Sequence, residues 1–233
     1  MNYLILNGKI SRYIQGLLIQ TLPPITKPAM RCQSDEINGR DGDIITELGF
    51  DAYDRDVEIG LHGNFDIDEV IGYFNSEGTA VFSNEPNKVY QYKIIKEIDF
   101  EKLIRFKTAK ITFHVQPFKH SLIEKPLTFE INDETSLEIQ NYGNYKSKPV
   151  MTIFGLGTVA LSLNGSQIFL IQFGSDESIT IDVENMEAFS GNALKNRSVS
   201  GNYDDFTFDQ GINVVSWSGI VYKFIFDKYS RWI

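Results

Sequence analysis

At 233 residues the chain is long enough for two domains of about 110 residues, a size at which each can bury a core of its own. Hydrophobic residues make up 42% and charged residues 23%, ordinary values for a globular protein, and the formal net charge of −9 argues against a surface that grips nucleic acid by counterion release. A single cysteine, Cys32, excludes an internal disulfide, so the fold must rest on packing and hydrogen bonds.

The 17 Phe and 11 Tyr favour a pleated, half-buried surface and hence a mainly β protein. Met1 to Ile25 lacks a basic leader and is broken by Lys9 and Arg12, so no signal peptide is expected there. No run approaches the roughly 18 apolar residues of a membrane span, and a soluble chain without membrane insertion is expected.

In chain order, Tyr3 to Leu6, Gly8 to Tyr13 and Leu17 to Thr21 read as short strands turning at Asn7-Gly8 and Gln15-Gly16, the first a type I′ hairpin signal. Leu22-Pro23-Pro24 and Lys27-Pro28 force extended backbone with few donors, which makes an arm rather than a core strand. Ile37 to Asp43 is a charged, glycine-punctuated loop. It departs from the EF-hand order and reads as a solvated turn with an Arg–carboxylate contact inside or across subunits.

Val57, Ile59 and Leu61 alternate with Asp56, Glu58 and Gly60, the pattern of a strand. One amphipathic helix follows, with Asp66 as N-cap, Glu69 in the capping-box position and Ile67, Val70, Ile71 and Phe74 on one face; Gly78 suits its C′ position. Thr79 to Phe82, Val89 to Ile98 and Leu103 to Phe106 are expected strands. Thr108 to Gln116 is the clearest strand in the sequence, and Pro117 is expected to stop it because a proline lacks the ladder donor. Lys119 to Lys125, followed by Pro126, then reads as a linker between domains.

Beyond Pro126 no helical period appears. Strands recur around Phe129, Leu137, Val159 to Leu163 and Ile179 to Val183, with a two-residue hairpin at Asn164-Gly165. Gly201 to Phe208, Gly211 to Trp217 and Ile220 to Phe226 close a sandwich, the last two as a hairpin around Ser218-Gly219. The terminal Arg231-Trp232-Ile233 is expected to pack back on a domain or on a neighbouring subunit. The expected architecture is therefore mainly β, with two β-sandwich-type domains, the first carrying one amphipathic helix: residues 1–121, 122–226 and a tail at 227–233.

Chemistry is sparse. His62, His114 and His120 have no cysteine near them in zinc-ligand spacing, and no Gly-x-Ser-x-Gly elbow, P-loop or dinucleotide fingerprint occurs. Asp41, Asp43, Asp204 and Asp205 are candidates for a carboxylate pair only because the chain is acidic. No catalytic residue, metal site or cofactor is expected. The galectin pattern His-x-Asn-x-Arg begins at His62-Gly63-Asn64 and then fails at Asp66; Trp217 either stacks on a sugar or belongs to the core.

These residues, taken in order and spacing, resemble the distal tail proteins of long, flexible-tailed bacteriophages that infect Gram-positive bacteria. The resemblance covers the whole chain. It rests on Leu22 to Ile25, Ile37 to Asp43, the helix Ile67 to Phe74, the segment Gly78 to Pro86 and Val115-Gln116-Pro117. In the second half it rests on Pro149 to Leu163, Ile179 to Asp182, Gly211-Ile212-Asn213 and Arg231-Trp232.

The resemblance implies a structural protein of the virion tail tip, assembled in the host cytoplasm and not an enzyme. It implies a homohexameric ring built by the first domain, with a galectin-like second sandwich holding receptor-binding or baseplate proteins. The ring would join the tail-tube protein to a tail-associated hub protein and leave a channel for DNA as passing cargo. Candidate subunit contacts are Pro23 and Pro24 in the arm, Arg40 and Asp41 in the loop, and Arg231 and Trp232 in the tail, since an arm laid on a neighbour is a common lock for a closed ring. The rival is a stand-alone lectin-like module that binds host cell-wall saccharide; a tail-tube protein is disfavoured, because a second sandwich would decorate every ring.

Overall fold

Alternating apolar residues build antiparallel sheets in two compact units, Met1–Leu122 and Ile123–Trp232. The computed structural model describes residues 1–175, 178–227 and 229–233, so Lys228 of the expected tail lies outside the described residues.

The first unit contains β1 (Leu4–Leu6), β2 (Lys9–Ile10), β3 (Leu17–Thr21), β4 (Met30–Glu36), β5 (Asp43–Phe50), β6 (Tyr53–Leu61), α1 (Ile67–Tyr73), β7 (Glu77–Phe82), β8 (Lys88–Lys93), α2 (Phe100–Phe106) and β9 (Thr108–Ser121). Seven strands form one sheet in the order β2-β1-β7-β8-β9-β6-β3, while β4 and β5 form a separate hairpin. Leu4, Val57, Ile59, Ile111, Phe113 and Val115 are fully buried, as their period-two spacing demands. Phe82 meets Tyr90 and Phe113 edge-on at 5.2 and 5.8 Å.

Asn7 and Gly8 have φ of 49° and 82°, the type I′ geometry expected of that pair, but the strand after them is short and gives way at Ser11–Tyr13 to a 3₁₀ turn. The Asp66 carboxylate caps α1, accepting from the amides of Asp68 and Glu69. Glu69 does not close a capping box; it accepts from the Gln15 amide at 3.4 Å. Val70, Tyr73 and Phe74 are buried, whereas Ile71 is 42% exposed, because seven residues present only two turns to the sheet.

Three further expectations fail in this unit. The segment around Leu103 is a second helix, not a strand: Asp99 caps it through the Lys102 amide at 2.7 Å, and Lys107 ends it with φ of 58°. Phe100, Leu103 and Ile104 fit a helical spacing as well as a strand, and so short an apolar run leaves the period undecided. Pro117 does not stop β9, which continues to Ser121. Val115 pairs with Tyr92 and Lys119 with Tyr90, so the proline sits in a bulge where no ladder donor is needed; Lys119 and His120 accordingly belong to the strand and not to a linker.

Gly78 is the third. It lies in β7 rather than at a helix end, because α1 stops at Phe74. Its φ is +145°, and a Cβ there would stand 1.9 Å from Asn7 Oδ1. That oxygen accepts from the Thr79 amide at 2.8 Å, so the glycine makes room for the side chain joining β1 to β7.

The second unit contains β10 (Leu127–Glu130), β11 (Ser136–Asn141), β12 (Val150–Leu163), β13 (Ser166–Gln172), β14 (Ser178–Asp182), β15 (Glu187–Ser190), β16 (Ala193–Leu194), β17 (Val199–Gly201) and β18 (Gly211–Asp227). Two long neighbours, β12 and β18, serve both halves of the sheet. Their one half carries β10, β14, β15 and β16, and their other half carries β11, β13 and β17. Ser218-Gly219 is therefore not a hairpin turn, since β18 runs through it. The register shifts at Gly155 and again between Leu156 and Ala160, and a Cβ on Gly219 would meet the Thr158 carbonyl oxygen at 2.4 Å. Glycine on both strands allows the paired ribbons to bend there.

The Asn164-Gly165 turn is present, with φ of 50° and 86° and Leu163 opposite Ser166. The expected strand from Gly201 to Phe208 is replaced by a 3₁₀ turn at Tyr203–Asp205, which delivers Phe206 and Phe208 into the core. Trp217 lies in that core, 8% exposed and 4.8 Å from the Phe224 ring. Both units are thus mainly β, with curled sheets of the β-sandwich type.

Gly78→Ala is expected to lower the stability of the first unit by about 1–3 kcal/mol through strained backbone and a displaced Asn7 side chain. Urea unfolding checks this. Asn7→Ala combined with Gly78→Ala should cost less than the two single changes added together, because the collision is then gone.

Candidate functional site

The proline arm is held at its root by its own carbonyl groups. Two consecutive prolines leave no amide to pair, but the Pro23 oxygen accepts from Asn84 Nδ2 at 2.8 Å and the Pro24 oxygen accepts from Arg55 Nη2 at 3.1 Å. Pro23 is buried and Pro24 is exposed.

Arg55 takes a core-facing place in β6, in series with Val57 and Ile59, and its side chain is 1% exposed. A guanidinium in such a place demands charge and hydrogen-bond partners. Its Nη1 lies 3.1 Å from Glu85 Oε2, and the group sits over the rings of Phe82 and Tyr90 at 4.7 and 4.6 Å. Lys119 Nζ, 5% exposed, reaches Glu85 Oε1 at 3.0 Å, and the Tyr90 hydroxyl donates to Glu85 Oε2.

One carboxylate thus joins two buried cations and a phenol drawn from β6, β8 and β9. Burial alone would raise the Glu85 carboxyl, but the Tyr90 hydroxyl, Lys119 and Arg55 outweigh it and hold the group below the usual carboxylate range. Burial, and then the bond to Glu85, pushes the Tyr90 phenol up.

The hairpin beyond the arm is the opposite environment. Every residue of β4 and β5 except Phe50 is exposed. Phe50 anchors the base against Phe118 at 5.8 Å, and Arg31 pairs with Asp51 at 3.5 Å. Arg40 and Asp41 lie in the exposed turn at the far end, which surrounds a shallow hollow of about 400 Å³. Arg40 has no carboxylate partner in its own chain among the described residues, while the Ser34 hydroxyl donates to Asp43.

The tail candidates sit elsewhere, in the second unit. Arg231 is 5% exposed; its Nε donates to the Lys146 carbonyl at 2.7 Å and its Nη1 approaches Glu184 at 3.4 Å. The Tyr142 amide donates to Ser230 Oγ at 3.1 Å, and Gly143 lies so close to the Arg231 backbone that a Cβ would stand 1.9 Å from its oxygen. Arg231 therefore serves its own unit, and Trp232 is half-buried. The six expected contact residues fall at the arm root and the hairpin tip of the first unit and in the tail of the second.

A groove of about 440 Å³ in the second unit is lined by Glu130, Phe154, Leu156, Tyr222 and Lys223. Lys223 Nζ lies 2.7 Å from Glu130 Oε1 and 5.7 Å from the Phe154 ring centroid. Among the described residues no group of three or more His, Cys, Asp or Glu side chains is placed to hold a metal ion, and no helix is long and apolar enough to cross a membrane.

The buried network escaped sequence reasoning. Arg55, Glu85 and Lys119 are up to 64 positions apart, and the only local hint is an arginine on the apolar side of an alternating strand.

Glu85→Gln leaves two buried cations without their counter-charge and is expected to cost about 3–5 kcal/mol. Because the folded Glu85 carboxyl lies below its unfolded value, its contribution is present above the unfolded pKa and is lost as pH falls through the folded one. Urea midpoints measured from neutral pH down to pH 3 check both. The wild type should lose part of its stability on the acid side, and that part should be missing in Glu85→Gln.

No protein-family model matches this chain, and no curated protein sequence does. Solved structures are similar to it. The SPP1 Dit (gp 19.1) protein, a paradigm of the hub adsorption apparatus in phages infecting Gram-positive bacteria, matches with a TM-score of 0.69 at 12% identity, over 100% of both chains. A chain of the phage P2 baseplate in its activated conformation with Ca matches with a TM-score of 0.51 at 11% identity over 97% of each chain, and its counterpart with Sr does so at 0.51 and 11% over 98%. At such identity the shared property is the path of the backbone: the chain has the fold of phage distal tail and baseplate proteins.

Proposed function

We propose that this chain is a structural component of the tail tip of a phage that infects Gram-positive bacteria, a distal tail protein with no catalytic role. Six copies close a ring through their first units. The ring joins the tail-tube protein to the hub, and the second units hold receptor-binding or baseplate proteins. DNA passes through the channel as cargo. The working place is the virion tail tip, after assembly in the host cytoplasm.

The observation that carries this reading is the end-to-end likeness to SPP1 Dit, covering all of both chains at a TM-score of 0.69. A single sandwich is a fold with many uses and would say little about role. Two such units with a hairpin arm, matched together, narrow the choice.

Physical features support it. A two-stranded hairpin exposed on both faces is marginal by itself and gains stability when a neighbour covers it. Heterologous contacts that close on themselves make rings, and an arm is suited to such contacts. Six copies carry 6 × −9 = −54 formal charges, a field that lets a polyanion pass without adhering.

A second reading rests on the groove beside Tyr222, 53% exposed, where an aromatic face and the Glu130–Lys223 pair offer the two kinds of contact a saccharide uses. In that reading the chain is a stand-alone lectin-like module.

Light scattering with negative-stain imaging separates the two. The ring reading expects hollow particles of 6 × 26.6 kDa = 159.6 kDa. Deleting residues 30–50 with a short linker should leave folded monomers. A monomer that binds cell-wall saccharide would overturn the ring in favour of the lectin.

A further inference from the structure

The carboxylates of the hairpin and the cations of one helix of the same unit lie in no ion pair of their own chain among the described residues. Residues 30–50 hold five carboxylates, at Asp35, Glu36, Asp41, Asp43 and Glu47, against Arg31 and Arg40, a formal charge of −3. Among the described residues none of these five carboxylates lies in an ion pair; Asp35 and Asp43 accept only from Gln33 and Ser34. Apolar side chains are interleaved with them: Ile44, Ile45 and Leu48 are 40%, 60% and 55% exposed.

Helix α2 is the complement. Lys102, Arg105 and Lys107 stand on it and at its C-terminal cap, all exposed, and none has a carboxylate partner in its own chain among the described residues. Interleaved with them, Ile104 is 41% and Phe106 is 60% exposed, although both are large apolar groups. Only Leu103 of the helix is buried, so most of α2 is an uncovered face.

We infer that the acidic hairpin of one copy docks on the α2 face of the next copy, so that Lys102, Arg105 and Lys107 meet its carboxylates and Ile104 and Phe106 meet Ile44, Ile45 and Leu48. The inference rests on the ring reading and names the surface its arm takes. Three independent features favour a second copy over any other occupant. The two surfaces have opposite charge, each mixes large apolar groups with its charges, and each is incomplete in a single chain. Seven residues of β4 give the exposed hairpin a length of about 23 Å. Because hairpin and helix face belong to the same unit, each copy gives one and receives one, the head-to-tail pattern that makes a ring when its rotation closes.

The chain supplies its own probe. Cys32, its single cysteine, is exposed on β4 opposite Glu47. Ile104→Cys places a second thiol on the inferred docking face, and bis-maleimidoethane bridges thiols only when they lie close together. On the full-length chain, denaturing gels should show a ladder of covalent species up to six copies. The wild type, with Cys32 alone, should show none beyond a dimer.

Charge reversal gives a second readout. Lys102→Glu, Arg105→Glu and Lys107→Glu together should raise the concentration needed for half-assembly at least tenfold, as should Asp35→Lys, Glu36→Lys and Asp43→Lys together. A 1:1 mixture of the two variants, in which an alternating ring offers matched charges at every contact, should assemble far better than either variant alone, and one chain bearing all six reversals should assemble as the wild type does. Rings that form normally in both reversed variants and give no ladder would overturn the docking surface and leave the ring standing. A wild type that stays monomeric at every concentration, by scattering, would overturn the ring reading and this inference with it.

Discussion

The first unit turns on one carboxylate. Glu85 lies between β7 and β8, and it is the one carboxylate among the described residues that pairs with two cations the sheet buries, Arg55 from β6 and Lys119 from β9. Without it, an arginine beside Val57 and Ile59 would have no tenable place, because a buried charge is tolerated only when paired and hydrogen-bonded. The same guanidinium donates to the Pro24 carbonyl, so the network that settles the core also fixes the start of the arm. Core and arm are held by one set of bonds: a proline-rich segment with few donors of its own is fastened to the sheet through its acceptors, with Asn84 on Pro23 as the second tie.

A different constraint organises the second unit. Two long strands take part in both halves of its sheet, and they can do so only by bending together. Gly155, Gly157 and Gly219 cluster where the β12–β18 register shifts, and neighbouring backbone oxygens approach two of them more closely than any side chain would permit. The bend lets residues from both halves converge on Phe206, Phe208, Phe224 and Phe226 as one apolar core. The tail is secured by a second polar network, in which Arg231 and Ser230 bind the segment from Tyr142 to Lys146.

The charge pattern links these scaffolds to assembly. Glu85, Arg231 and Asn141 are matched at close range inside their units, while the hairpin carboxylates and the α2 cations lie in no ion pair among the described residues, and large apolar groups stand exposed beside them. Stability within a chain is a matter of satisfying what is buried. Association is a matter of what is left unsatisfied outside, and here the remainder is concentrated on two surfaces of opposite sign.

By itself the sequence determined whatever depends on neighbours along the chain. The alternations in Val57 to Leu61 and in Ala109 to Val115, the Asp66 cap, and the paired positive φ angles at Asn7-Gly8 and Asn164-Gly165 are local consequences of pleat, capping and turn sterics, and all were legible. The arm and the charged loop were legible as exposed features too, although the flanking β4 and β5 were not. Tertiary structure alone decided the rest. Pro117 stays within a strand because a bulge opposite Tyr90 and Tyr92 removes the need for its amide, and Ser218-Gly219 is a bend rather than a turn because β12 bends beside it. The segment Leu103 to Phe106 reads as a strand by itself and is part of helix α2, with Leu103 entering the core. The Arg55–Glu85–Lys119 network depends on which strands lie side by side, and that adjacency is set by strand register, which no local pattern encodes.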